Sequence, residues 1–130
     1  MNTKLLMTAS GLSLGLAGLF ALFAPDLLLK TLGASPTTPL SIPVQLMGSL
    51  YFAFALINWT AKGSAIGGIY ARPVSLGNFT HFFVGALILI KYFLSNSFNL
   101  VALLITVVYI LFAALFYWLV FRATGLPQGS

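Results

Sequence analysis

Few side chains in this sequence can do chemistry, and most of them lie within long apolar runs. The single histidine, His81, sits inside residues 76–94, LGNFTHFFVGALILIKYFL. In a helix it shares a face with Asn78, Gly85, Ile88 and Tyr92, which follow one another by steps of three or four. An imidazole can move a proton, bind a ligand or accept a hydrogen bond. Partners for it stand in the other apolar runs: Gln45, Ser49 and Asn58 in residues 44–61, and Thr106 and Tyr109 in residues 100–121. With Asn78 and His81 they form a candidate interior polar or ligand site. Ionisable groups at membrane depth are costly, so they turn inward and are functional candidates by default. The plainer reading is structural, with His81 buried, uncharged and hydrogen-bonded to a polar group of another run. The neighbouring Phe79, Phe82 and Phe83 either line a pocket or, more simply, face lipid and other helices.

Other chemistries lack their residues. Asp26 is the sole acid and lies at the end of an apolar run, four residues before Lys30. There is no carboxylate pair, no Ser-His-Asp set and no phosphate-binding loop. The absence of cysteine removes disulfides, thiolate nucleophiles and thiolate metal sites. His81 has no second histidine, and Met1, Met7 and Met47 bear no ligand spacing to it. The expectation is a non-enzymatic protein with no catalytic residue, metal site or cofactor.

The elements that must carry these residues follow from composition. In 130 residues, 60% are hydrophobic and 5% charged, against about 25% charged in soluble domains. The mean hydropathy is +1.06. This is an integral membrane protein, expected to form one domain. The net charge of +5 comes from single cations at the ends of runs, which suits lipid headgroups and topology and argues against nucleic acid.

Residues 5–24 are uncharged, close to the roughly 20 needed to cross about 30 Å of hydrocarbon. They are read as a span and not as a secretory signal, because a cut after Ala24 would place Leu22 where a small residue is preferred and Pro25 directly after the cut. Thr8, Gly11, Gly15, Gly18 and Leu22 form a stripe containing GxxxG, which lets a second helix approach closely. That contact lies either within the protein's own bundle or between subunits. Gly85, one turn from His81, is a fourth helix-packing glycine. Residues 26–32 read as an interfacial turn or two of helix, and residues 33–43, with three prolines, as a loop.

The second, third and fourth spans are residues 44–61, 76–94 and 100–121. Ser49 and Ala53 give the second span another pair of small residues, and Trp59 near its end suits the interfacial aromatic belt. Residues 62–73 connect it to the third span. Residues 95–99, SNSFN, are a tight polar turn, so spans three and four must be antiparallel neighbours. No internal repeat is visible. The expected fold is an all-α, four-helix integral membrane bundle of antiparallel up-down topology with both termini cytoplasmic. Lys4, Lys62, Arg72 and Arg122 fall on the termini side, against Lys30 and Lys91.

The segments LFAPDLLLKTLG, QLMGSLYFAFALINW and ARPVSLGNFTHF together resemble small bacterial four-span inner-membrane proteins of unknown function, broadly DoxX-like in length and layout. The resemblance implies a multi-pass protein of the cell inner membrane and no particular activity. Residues 5–24 lack the glutamate of the small multidrug exporters. The functional expectation is a protein that acts by self-association or as a small subunit of a larger membrane complex, with the lipid bilayer around it. The alternative is a small channel, carrier or lipophilic-ligand binder using the interior around Asn78 and His81.

Overall fold

The computed structural model describes residues 2–64 and 71–121. Arg122, the tail beyond it and the middle of the connection 62–73 lie outside the described residues. Within them the chain is all helical: α1 Thr3–Phe23, α2 Pro25–Thr31, α3 Thr38–Ala61, α4 Arg72–Ser95 and α5 Leu100–Phe121. All but α2 are long and apolar enough to cross a membrane. The helices fall into two compact units, α1 to α3 in one and α4 with α5 in the other.

In the first unit, Asn2 caps α1 by accepting the Leu5 amide at 3.1 Å. The helix stops at Ala24, and Pro25 opens α2, where its missing N–H costs nothing. Gly33, at φ +83°, closes α2. The Ala34 amide donates to the Leu29 carbonyl at 2.9 Å and the Gly33 amide to that of Lys30 at 3.0 Å, the paired bonds of a left-handed helix terminator.

Two boundaries differ from the sequence reading for the same reason. Residues 38–43 are the first turns of α3 and not loop, with Pro39 at its start and Pro43 inside it. Residues 72–75 likewise belong to α4, with Pro73 in its first turn. Proline pre-sets a helical φ and is harmless where amides have no partner. Pro43, deeper in, leaves the Pro39 carbonyl without its usual donor.

Asp26 and Lys30 both lie on α2, as their helical spacing allows. No ion pair joins them. Ser41 Oγ donates to Asp26 Oδ1 at 2.5 Å, while Lys30 lies in the last turn of α2, where a cation suits the helix dipole.

Helices α1 and α3 meet through small residues. A Cβ placed on Gly18 would stand 2.8 Å from the Gly48 carbonyl oxygen and 2.8 Å from the Phe52 nitrogen, so these two backbones touch. Farther along, Gly11 approaches the Ala55 carbonyl, and at Gly15 a Cβ would lie 3.4 Å from that of Ala55. In the second unit, Phe82 of α4 stacks on Phe112 and Phe116 of α5, with centroids 4.8 and 5.9 Å away. Phe82 and Phe116 are among the most deeply buried side chains of the protein. Phe79 meets Tyr117 and Phe121 toward the far end of α5.

Candidate functional site

His81 and Tyr109 are brought together: the imidazole Nε2 and the phenol Oη lie 3.2 Å apart, with ring centroids 5.4 Å apart. Tyr109 is buried and His81 half-buried. Gly85 makes this possible, since a Cβ there would collide with the Tyr109 ring. Phe82 packs edge-on against both rings, at 5.0 Å from His81 and 5.3 Å from Tyr109. The arrangement is a hydrogen-bonded imidazole–phenol pair in an aromatic wall. Either ring can donate, depending on the tautomer, so the pair can pass or share one proton.

Asn78 and Thr106 are buried on the same two helices, and both serve their own backbone. Asn78 Nδ2 donates to the Val74 carbonyl at 2.9 Å, and Thr106 Oγ1 to that of Ala102 at 2.7 Å. Such local bonds satisfy part of a polar side chain's hydrogen-bonding capacity at depth. The face of α4 that is buried is Ser75, Asn78, Phe82 and Ala86. The stripe expected to point inward departs from it after Asn78: Ile88 is 63% exposed. Buried Phe82 displaces the expected line by one position.

The remaining three residues belong to the first unit. Asn58 is fully buried and its Nδ2 donates to Ser10 Oγ at 3.0 Å, a bond joining α3 to α1. Ser10 Oγ in turn donates to the Met7 carbonyl at 3.2 Å. Gln45 and Ser49 are exposed. Gln45 Nε2 reaches across to the Leu22 carbonyl at 3.1 Å, and Ser49 Oγ turns back to that of Leu46 at 2.7 Å. Every buried side-chain nitrogen or oxygen among the described residues has a partner, as it must where no water can substitute.

Sequence reasoning missed three contributors. Gly48 is the closest approach of α3 to α1; its signal was the seven-residue step from Gly48 to Ala55, which puts two small residues on one face. Ser10 carries no signal of its own, because a serine in an apolar run looks neutral until its partner is known. Ser41 falls within residues 33–43, which read as loop from their prolines. No cluster of three or more potential metal ligands occurs among the described residues. Comparison with family models, with curated proteins and with solved structures returns no match.

Proposed function

We propose that this protein acts by association in a membrane, either with itself or as a small subunit of a larger complex, and that it performs no catalysis. The observation that carries this reading is the division of small residues on α3. Gly48 and Ala55 are spent against α1, whereas Ser49 and Ala53, one helical turn apart, are exposed on α3 between Leu46, Leu50 and Leu56. Small residues set among leucines let a further helix approach closely where van der Waals packing alone drives association. A glycine face already occupied leaves this second face as the one for a partner.

In the same proposal the four long helices form an antiparallel up-down bundle in a bacterial inner membrane, broadly DoxX-like in layout, with both termini cytoplasmic. Within each unit the contacts support it, since rising residue number on one helix meets falling number on the next: Ser10 with Asn58 and Leu22 with Gln45, Phe79 with Phe121 and Phe82 with Phe112. Lys62 supports the assignment of its end to an interface, with its Nζ 2.9 Å from the centre of the Trp59 ring. The Lys/Arg bias then orients the chain.

The test is the particle size of the protein extracted with its surrounding lipid. The parent should run as an oligomer or complex, and Ser49→Leu with Ala53→Leu should reduce it to a single chain of unchanged helicity. A parent that is already a single chain would refute association. A second reading, a lipophilic-ligand binder or small carrier, is favoured by the half-buried His81–Tyr109 pair, whose proton can be offered to a ligand. Saturable flux or a co-purified small molecule lost in His81→Phe would favour it over the first.

A further inference from the structure

We infer that the rim of the first unit holds a binding site for a primary ammonium group, with Asp26 as its counter-ion. The inference does not depend on the association reading, because the site is built within α1 to α3. A cavity of about 470 Å³ opens there, lined by Asp26, Thr37, Thr38, Ser41 and Gln45 over an apolar wall that includes Pro25. Small-molecule sites span about 300–1,000 Å³. In a chain with six cations and one acid, the one acid faces this cavity.

Asp26 is incompletely used. Its Oδ1 accepts from Ser41, no cation among the described residues pairs with it, and Lys30 is not part of the lining. Thr37 stands at the N-cap of α3, yet its side chain makes no capping bond. The lining thus presents a carboxylate, hydroxyl oxygens and the carboxamide of Gln45, whose Nε2 is engaged with the Leu22 carbonyl, and no positively charged side chain. An ammonium with three N–H donors and no acceptor matches that set, and its bond to a carboxylate is of the stronger, charge-assisted kind. An anion finds no cation here. A hard divalent ion would need six or more oxygen ligands, with more than one carboxylate as a rule.

Position adds a second argument. The cavity lies where α1 has ended at Phe23 and α3 begins at Thr38, both of them apolar helices of membrane-crossing length. That is the depth of lipid headgroups. The ammonium can therefore come from a phosphatidylethanolamine headgroup or from a free amine.

The experiment uses the full chain in nanodiscs of phosphatidylcholine, with phosphatidylethanolamine or its mono- and dimethylated forms added in turn, reading lipid retention by native mass spectrometry and the melting temperature. Retention should fall along the methylation series as N–H donors are lost, with phosphatidylethanolamine favoured about tenfold over phosphatidylcholine, the equivalent of one charge-assisted hydrogen bond. Asp26→Asn should abolish the preference. A rise in melting temperature with free ethanolamine, in phosphatidylcholine discs, would assign the site to a soluble amine; its absence, with the lipid preference intact, would assign it to the headgroup. Equal retention along the series with no response to ethanolamine overturns the inference, as does an unchanged preference in Asp26→Asn. The series is run on the parent, so the result stands even where the variant does not fold.

Discussion

The two helix pairs of this protein solve one packing problem in opposite ways. Where α1 meets α3, side chains have been removed: Gly18 and Gly48 bring backbone against backbone, and Ala55 sits where a larger residue would hold the helices apart. Where α4 meets α5, the space is filled by rings, with Phe82 stacked on Phe112 and Phe116 and with Gly85 clearing room for Tyr109. In lipid, helices gain nothing by hiding apolar surface from water, so both contacts must rest on close packing and hydrogen bonds. The first kind is rigid, since a backbone cannot move aside. The second is adjustable, since a ring can turn.

The largest expected effect breaks the rigid contact. Gly18→Leu drives a side chain into the Gly48 carbonyl and the Phe52 amide, neither of which can yield without separating the helices. Overpacking of this kind costs about 3 kcal/mol or more, and the melting temperature in detergent should fall sharply. Gly15→Ala is the internal control: its new methyl meets Ala55 at ordinary contact distance, so the variant should match the parent or exceed it slightly, alanine being the better helix former. Equal losses at both positions would mean that the contact is loose and that the glycines act only through backbone flexibility.

Next comes the ring side of the comparison. Phe82→Ala empties a nearly fully buried position. In soluble proteins such a change costs about 3–5 kcal/mol; here the transfer from water is absent and the cavity dominates, so a loss of about 2 kcal/mol is expected. Phe83→Ala, one position along and largely exposed, should leave the unfolding free energy within about 0.5 kcal/mol of the parent. A comparable loss at both would show that the face of α4 has been misassigned.

The contrast explains what was legible in the sequence. Glycine spacing announces a close helix contact because few other roles need Gly11, Gly15 and Gly18 in one stripe, and Thr106 and Tyr109 of α5, candidates for the interior, are buried. Ring packing carries no such mark. Phe79, Phe82 and Phe83 are identical in type, and only the position of Phe112 and Phe116 on the facing helix decides which of them is core. Among polar residues, the His81–Tyr109 contact was visible as a candidate, since few groups can meet a histidine at that depth. Gln45 and Ser49 were not separable from Asn58, because all three have a carbonyl or hydroxyl within reach and sequence gives no sign of which partner wins. The prolines are ambiguous for a physical reason: Pro39 and Pro73 sit in first turns, where a missing amide is harmless, and Pro43 is carried inside α3 one turn further on.

A smaller effect tests the hydrogen bond that crosses the first pair. Asn58→Leu keeps most of the bulk and removes the amide donating to Ser10. Ser10 keeps its bond to the Met7 carbonyl, so only part of its capacity is stranded. A loss of about 1–2 kcal/mol is expected. Adding Ser10→Ala should recover some of it by removing the stranded oxygen, which a double-mutant cycle on melting free energies would read as coupling. Strict additivity would mean that the two side chains do not act as a pair.

The smallest effect belongs to the pair on the ring side. Tyr109→Phe deletes one oxygen and leaves the ring in place against Phe82, still occupying the space that Gly85 opens. What changes is the bond at 3.2 Å to His81. Side-chain hydrogen bonds between membrane helices average about 0.6 kcal/mol, and the Tyr109 ring keeps its packing against Phe82. The unfolding free energy should therefore drop by about 0.6 kcal/mol or less, well under the cost at Asn58. His81→Phe should cost a similar amount, since it removes the other partner of that bond. If Tyr109→Phe instead costs as much as Asn58→Leu, the imidazole has no access to other partners and is a structural element of the α4–α5 contact. If neither variant changes stability while a small molecule that co-purifies with the parent is lost from both, the hydroxyl and the imidazole belong to a ligand's site, and the binder reading replaces association.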